Sequence, residues 1–166
     1  MNPRVLIVMG SDSDKHVMED AILLLKELGI SYELVIASAH RTPERTKKIA
    51  INAEKNGIDV IIAGAGMAAH LAGVLASYTI IPVIGVPIDS SALHGVDSLL
   101  SIVQMPPGVP VATMAIGKAG AKNAAIFSAQ IIGLKDAKIA KRLKEFKKKM
   151  AEEVEKKSRT LKSHSA

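Results

Sequence analysis

The feature that most restricts the fold of this 166-residue chain is a series of four short apolar runs, each followed by a turn and a helix-period segment. The runs cover residues 5–9, 32–37, 60–63 and 82–87. Unbroken apolar strands of this kind are typical of parallel sheets that are buried on both faces. Strand and helix in regular alternation indicate an α/β fold. We therefore predict a doubly wound parallel sheet in a flavodoxin-like or Rossmann-like three-layer sandwich, with a long C-terminal helix.

The spacing of apolar side chains predicts the connecting elements. Helices are expected over residues 15–28, 43–56, 68–78, 96–103 and 122–132, and a fifth strand over 111–116. Gly29 and Gly57 stand where the first two helices should end, and Thr42 is expected to cap the second helix at Pro43. The glycine-rich segment 64–66 is predicted as a loop. Residues 1–134 should form the α/β catalytic domain.

Residues 135–166 form a separate region in composition. This part of the chain has 12 basic and 5 acidic residues, whereas the remainder has 10 and 11, so the formal charge of +6 comes from the tail. A narrow apolar stripe on a charged helix is expected here, made by Ile139, Leu143, Phe146, Met150 and Val154. We predict a basic helix and tail that belong to the same domain or pack on a neighbouring subunit.

Composition excludes several classes of function. Hydrophobic residues make up 48% of the chain and charged residues 23%, the balance of a soluble globular domain. There is no cysteine, so disulfides and thiolate chemistry are absent. Aromatic residues are only 2%, and acidic residues interrupt the basic tail, which argues against nucleic-acid binding. No run is long enough for a membrane span or signal peptide, so we expect a cytoplasmic protein.

The hexapeptide at residues 38–43 places a hydroxyl, an imidazole and a guanidinium together at a strand-to-helix loop. Ligands of open α/β sheets bind at such loops, at the carboxyl ends of the strands. His40 can transfer protons near neutral pH, and Arg41 can grip a phosphate or carboxylate. Alternatively, the two side chains only satisfy the loop.

Two more strand-to-helix loops carry candidate ligand groups. Residues 10–14 offer hydroxyls and a helix start for an anion, and Asp14 could accept hydrogen bonds from ribose; plain helix capping is the alternative for Asp12 and Ser13. Residues 64–70 could present exposed backbone to a flat ring. His70, at the end of this segment, either contacts a bound carboxylate or satisfies a helix start.

The sequence shows no metal site, because His16, His94 and His164 do not have the spacing of metal ligands. We predict neither metal nor cofactor.

Four ordered motifs resemble the PurE family of purine biosynthesis. They are GSDSD at 10–14, SAHRTP at 38–43, AHL at 69–71 and SIVQMP at 101–106, and the likeness runs from about residue 5 to about residue 133. The class it resembles most is N5-carboxyaminoimidazole ribonucleotide mutase. The sequence differs from the usual family pattern at Met67, where glycine is usual, and at Ala72, where proline is usual.

The resemblance implies an isomerase that converts N5-carboxyaminoimidazole ribonucleotide (N5-CAIR) to 4-carboxy-5-aminoimidazole ribonucleotide (CAIR) and assembles as a homo-octamer. On this basis His40 and His70 are the predicted catalytic residues. The predicted substrate contacts are Ser11, Ser13, Asp14, Ser38, Ala39, Arg41, Gly66, Ala68 and Leu71.

Two alternatives stay open at this point. A carboxylase of the same family would take CO2 from solution and would not use the carbamate substrate. A noncatalytic flavodoxin-like nucleotide-binding module would need an acidic phosphorylation cluster or aromatic flavin platform, and neither pattern is evident in the sequence.

Overall fold

The computed structural model describes residues 3–163, with side chains described for residues 3–161. Strands and helices alternate, and a short 3-10 turn at Asp12–Asp14 precedes the first helix. The strands are β1 (Val5–Met9), β2 (Tyr32–Ile36), β3 (Val60–Gly66), β4 (Val83–Ile88) and β5 (Ala112–Thr113). The helices are α1 (Lys15–Glu27), α2 (Pro43–Ala53), α3 (Leu71–Ala76), α4 (Val96–Val103), α5 (Lys118–Gly133) and α6 (Ala137–Ser163).

The five strands form one parallel sheet in the order β2-β1-β3-β4-β5. Successive side chains along a strand point to opposite faces, so β1 divides between two cores. Ile7 packs with α1, α5 and α6 on one face, whereas Val8 packs with α2, α3 and α4 on the other. The predicted doubly wound, three-layer sandwich with a long C-terminal helix is confirmed.

The element boundaries differ from the predicted ones mainly around β3. The predicted loop at residues 64–66 is the end of β3, which pairs with β4 as far as Gly66 opposite Ile88. The pairing with β1 reaches Gly64 and the pairing with β4 reaches Gly66, so the ladder holds these glycines in a strand. The predicted start of the third helix at residue 68 was wrong, because positive φ angles at Met67 and Ala69 break the helical path and α3 begins only at Leu71.

Smaller corrections apply at other boundaries. The predicted fifth strand shrinks to Ala112–Thr113, because it lies at the sheet edge and pairs only with β4. Helix α5 begins at Lys118, four residues before the predicted start, directly after Gly117 at φ 76°. Gly29 and Gly57 do follow the first two helices with positive φ angles, as predicted.

The first half of α6 packs on the α/β body of its own chain. Ile139 and Leu143 are buried in the core beneath α1 and α5. Arg142 Nη1 donates a hydrogen bond of 2.8 Å to the carbonyl oxygen of Leu28, at the end of α1. Beyond Phe146 the apolar stripe leaves the body, and Met150 and Val154 are 51% and 66% exposed. Two of the five predicted stripe residues are therefore largely exposed on the isolated chain and available for contact with another surface.

Candidate active site

The eleven predicted site residues line one pocket at the carboxyl edge of the sheet. β1 pairs with β2 on one side and β3 on the other, and Met9 lies beside both Ile36 and Gly64, so the three following loops leave the sheet together. The chain continues from β1 to β2 on one side of the sheet and then to β3 on the other side, so the strand order changes direction at β1. Ligands of open α/β sheets bind at such switch points. The pocket has a volume of about 590 Å³. It is lined by Gly10, Ser11, Ser13, Asp14, Ser38, Ala39, His40, Arg41, Ala65, Gly66, Met67, Ala68, Ala69, His70, Leu71 and Ser90.

A second concavity of about 420 Å³ lies between β2 and α2. Its lining combines aliphatic side chains and amides with Glu33, Arg45 and Lys48. None of the lining groups is an imidazole, so this surface offers no proton carrier for neutral pH. The chemistry points to the pocket at the carboxyl edge.

The loop after β1 is organised by the buried carboxylate of Asp14. Its Oδ2 atom accepts a hydrogen bond of 3.0 Å from the backbone N–H of Ser11, and the residue is only 4% exposed. Burial raises the pKa of this carboxyl above the usual aspartate range, because the charged form loses hydration. Asp14 thus holds the loop and also reaches the pocket wall, where an oxygen can meet a ligand hydroxyl.

The neighbouring Asp12 lies on the solvent side of the same loop. Ser11 Oγ donates a hydrogen bond of 3.0 Å to Asp12 Oδ1, and this bond is the main reason that the pKa of Asp12 is lowered. Asp12 does not line the pocket described above, whereas Ser11 and Ser13 do. An anion in the pocket therefore meets two hydroxyls without facing the more acidic carboxylate directly.

The loop after β2 is fastened by hydrogen bonds between Ser38 and Thr42. Thr42 Oγ1 accepts from the N–H of Ser38 at 2.9 Å and donates to its carbonyl oxygen at 3.0 Å. Thr42 occupies the cap position of α2, but its side chain makes no capping hydrogen bond, so the predicted cap was wrong in this respect. The hydroxyl is instead used to close the turn that carries His40 and Arg41.

Arg41 extends from this turn to the edge of the pocket. Its backbone N–H donates to Ser38 Oγ at 3.1 Å, which leaves the hydroxyl proton of Ser38 able to donate to a ligand. The guanidinium makes a long contact of 3.4 Å from Nη2 to the carbonyl oxygen of Gly10 and is otherwise exposed. Arg41 thus spans the loops after β1 and β2 with most of its donors still available.

His40 and His70 come from different loops and contact each other directly. His40 Nε2 lies 2.8 Å from His70 Nδ1, and the rings meet edge to face with centroids 4.9 Å apart. One nitrogen must donate and the other accept, so the contact requires complementary tautomers. Both residues are exposed at the pocket surface. The pair can take up or release a proton beside a bound ligand.

The loop after β3 contains two unusual backbone conformations. Met67 has φ 54° and Ala69 has φ 20°, in the left-handed region that residues with a Cβ seldom adopt. The N–H of Ala69 donates to the carbonyl oxygen of Gly66 at 3.1 Å and closes the turn. Glycine would fit residue 67 without strain, which gives a physical reason for the glycine that the resemblance noted above would place there. Met67 itself lines the pocket and is 61% exposed.

The sequence prediction missed Ser90. This residue lies two positions after the end of β4, and its side chain lines the pocket opposite Gly66. The rule that ligands bind at the carboxyl ends of strands could have found it, because β4 was predicted correctly to within one residue at each end.

The sequence also predicted that the chain has no metal site and no membrane span. Among residues 3–163, no group of three or more histidine, aspartate or glutamate side chains is arranged to hold a metal ion. His164, one of the histidines considered above, lies outside the described residues. Within the same part of the chain, none of the helices is long and apolar enough to cross a membrane.

Comparisons with known proteins identify the relatives of this chain. A protein named N5-carboxyaminoimidazole ribonucleotide mutase from Thermotoga maritima is 58% identical over 159 residues, covering 96% of this chain and 92% of that protein. The protein of the same name from Escherichia coli K12 is 53% identical over 154 residues, covering 92% and 91%. The crystal structure of PurE from Treponema denticola superposes with a TM-score of 0.85 at 31% identity, covering 96% of this chain and 99% of that one.

The family profile described as AIR carboxylase matches residues 4–153, which include every loop of the pocket. This match and the relatives above 50% identity agree with the resemblance seen in the motifs. The chain belongs to the AIR carboxylase family.

Proposed function

We propose that the protein is an N5-carboxyaminoimidazole ribonucleotide mutase, which converts N5-CAIR to CAIR in purine biosynthesis. The observation that carries this proposal is the His40–His70 pair, whose nearest nitrogens are 2.8 Å apart. The pair lies beside a pocket that has Arg41 and serine hydroxyls at one edge and mainly backbone at Gly66 and Ala68. Relatives that carry this name match the chain over nine-tenths of its length. The reaction needs a proton carrier and an enclosed site for CO2.

The phosphate binds at the rim formed by the loops after β1 and β2. Arg41 supplies charge, and the hydroxyls of Ser13 and Ser38 supply directional donors. Ser11 adds a third donor when its proton turns from Asp12 to the phosphate. The N-terminal end of α1, just beyond this loop, adds a favourable dipole for an anion. Charge-assisted hydrogen bonds of this kind hold the ribonucleotide in one orientation.

The ribose lies next to Asp14, and the aminoimidazole ring lies against the loops after β2 and β3. Asp14 accepts from a ribose hydroxyl, since its buried carboxylate has acceptor positions beyond the one used by Ser11. Ala39, Gly66 and Ala68 present backbone and small side chains to the flat ring. Leu71, which is buried at the base of the pocket, excludes water from the reacting end.

The reaction proceeds through decarboxylation and recarboxylation. The bond between the exocyclic nitrogen and the carbamate carbon breaks, CO2 is released into the pocket, and His40 gives a proton to the departing nitrogen. The electron-rich C4 of the ring then attacks the CO2 carbon and forms the new C–C bond. His40 removes the surplus proton from C4, so that no proton is gained or lost over the cycle.

His70 contributes by fixing the tautomer of His40. Because Nδ1 of His70 faces Nε2 of His40, the shared proton has two defined positions between the rings. A proton that leaves His40 for the substrate can be replaced directly from His70, which lies within hydrogen-bond distance.

An isotope experiment tests the mutase proposal. N5-CAIR labelled at its carboxyl carbon is given to the enzyme in buffer with unlabelled bicarbonate, and the label in CAIR is followed during early turnover. A mutase that keeps CO2 in the pocket retains most of the label. Extensive loss of label, with a rate that follows dissolved CO2, would contradict the proposal.

That contrary result would favour the second candidate, an AIR carboxylase that uses free CO2. The specific observation in its favour is the description of the matching family profile, which names that activity. The mutase ranks first because the relatives at 53–58% identity carry the mutase name.

The active form is a cytoplasmic homo-octamer. Apolar side chains stay exposed on two helices of the isolated chain: Val96, Leu100 and Val103 on α4, and Met150, Val154 and Leu161 on α6. Exposed apolar patches of this kind mark protein interfaces. Contact with further copies of the chain would cover both helices.

A further inference from the structure

Ser90 is a pocket residue without a role in the scheme above. It follows β4, which pairs with β3 in parallel so that Ile88 lies opposite Gly66. The chain therefore leaves the sheet at the same edge as the loops that carry His40 and His70, and the side chain of Ser90 reaches the pocket.

Gly66 creates the space that Ser90 occupies. A Cβ atom at residue 66 would overlap Ser90 Oγ and would lie 2.9 Å from Ser90 Cβ. It would also come within 3.1 Å of the carbonyl oxygen of Ile88, which belongs to the strand and cannot move away easily. The absence of a side chain at Gly66 thus lets the Ser90 hydroxyl lie directly against the end of β3.

The Ser90 hydroxyl has no hydrogen-bond partner among residues 3–163, and its atoms are accessible from the pocket. Neighbouring hydroxyls differ in this respect. Ser91 Oγ accepts from the N–H of Leu93 at 3.1 Å, and Ser98 Oγ donates to the carbonyl oxygen of Ile88. Ser90 alone among these three retains both its donor and its acceptor capacity for a ligand.

The position of Ser90 in the sheet determines which part of the ligand it meets. Adjacent strands lie about 4.8 Å apart, so the ends of β1 and β4, separated by β3, lie about 10 Å apart. The phosphate rim lies at the β1 and β2 end, whereas Ser90 lies at the β4 end. A ribonucleotide with its phosphate at the rim therefore directs its base toward Ser90.

We infer that Ser90 is a specificity-determining residue that donates a hydrogen bond to the carboxylate on the base of the bound ribonucleotide. The inference rests on the proposed function, because it takes the orientation of the ligand from that proposal. A hydroxyl suits this task, since a carboxylate only accepts hydrogen bonds and attracts a neutral donor without an ion pair. Ser90 thereby distinguishes carboxylated from decarboxylated ribonucleotides.

The test measures dissociation constants by calorimetry for three ligands. CAIR carries phosphate, ribose, ring and carboxylate; 5-aminoimidazole ribonucleotide lacks the carboxylate; ribose 5-phosphate lacks the ring as well. Ser90→Ala should weaken CAIR binding about tenfold, as expected for a lost hydrogen bond to a charged group, and should change the other two by less than twofold. The matched control, Ser91→Ala, removes a hydroxyl from the same loop and should leave all three affinities within twofold.

Each contrary outcome has a distinct meaning. Unchanged CAIR binding by Ser90→Ala, or an equal loss for all three ligands, would overturn the inference while leaving the proposed function intact. If the unmodified protein bound ribose 5-phosphate but did not bind CAIR more tightly, the proposed function itself would fail. Circular dichroism of both variants confirms that the loop substitutions leave the fold unchanged.

Discussion

His40 Nε2 and His70 Nδ1 lie 2.8 Å apart, although thirty positions separate the two residues in the chain. The loops after β2 and β3 bring them together across the end of β1. A hydrogen bond between two imidazoles requires one N–H and one free lone pair, so it persists only while at least one ring is neutral at the shared position. When both rings are protonated, both nitrogens are donors and the contact becomes repulsive.

His40→Asn should lower the turnover number at least a hundredfold and change ribonucleotide affinity by less than threefold, because it removes the proton carrier and leaves the phosphate rim in place. Activity assays beside calorimetry measure the two effects separately. His94→Asn is the matched control, since His94 lies on an exposed loop outside the pocket lining. A near-normal rate in His40→Asn would remove His40 from the mechanism.

Arg41→Ala should weaken binding of the phosphorylated ligand by about 2 kcal/mol, because a charged phosphate loses its paired donor. Binding of the dephosphorylated nucleoside should stay the same, since the ring and ribose contacts are unaffected. Titration of both ligands into the same preparation decides the question. An equal loss for the two ligands would mean that Arg41 supports the loop through its contact with Gly10 rather than binding the phosphate.

The free energy of unfolding of the Asp14→Asn variant should exceed that of the unmodified protein by an amount that grows as the pH rises. Burial raises the pKa of Asp14 in the folded state, so the folded state binds its proton more tightly than the unfolded state does. The unmodified protein therefore loses stability as the pH rises from about 4, the ordinary aspartate pKa, through the raised pKa, whereas asparagine has no charge to bury. Urea unfolding at a series of pH values should show the difference growing across this window and then levelling off.

The same substitution also tests ligand binding. Asparagine keeps an oxygen for the N–H of Ser11, but a neutral oxygen accepts more weakly from a ribose hydroxyl than a carboxylate does. Affinity for the ribonucleotide should fall by roughly 1 kcal/mol. A stability difference that shrinks with rising pH would contradict the raised pKa, independently of the binding result.

Met67→Gly should stabilise the fold by about 0.5 to 1 kcal/mol, because Met67 adopts φ 54° with a Cβ present. Part of the relief is offset by the greater freedom of glycine in the unfolded chain. Met67→Ala is the control, since it removes the exposed side chain but keeps the Cβ. If both variants gained the same stability in urea unfolding, the effect would come from the side chain and not from the backbone.

Replacing Met150 and Val154 together with lysine should lower the particle mass of the proposed homo-octamer without unfolding the α/β body. Both side chains are exposed beyond the part of α6 that packs on its own subunit, so a charge there opposes contact with another copy but leaves Ile139 and Leu143 in the core. Light scattering gives the particle mass, and circular dichroism reports the fold. Glu152→Lys on the opposite side of the helix should keep the original mass, and an unchanged mass in the double variant would exclude this stripe from the interface.

Local sequence patterns were sufficient to predict the layered fold and the loops that carry the pocket. Unbroken apolar runs such as Val5–Met9 leave few arrangements other than a sheet covered on both faces, and β-α alternation makes that sheet parallel. These local patterns also located the polar loops that contain Ser11, His40 and His70, because the residue types there differ sharply from the neighbouring strands.

Contacts between distant parts of the chain set which loops meet and where each strand and helix begins and ends. The contact between His40 and His70 follows from the strand order, and the overlap that Gly66 avoids with Ser90 follows from the approach of two strand ends. The extension of β3 through Gly66 reflects pairing with β4, which overrides the loop preference of glycine. Such features depend on residues distant in the chain, so no local pattern could have specified them.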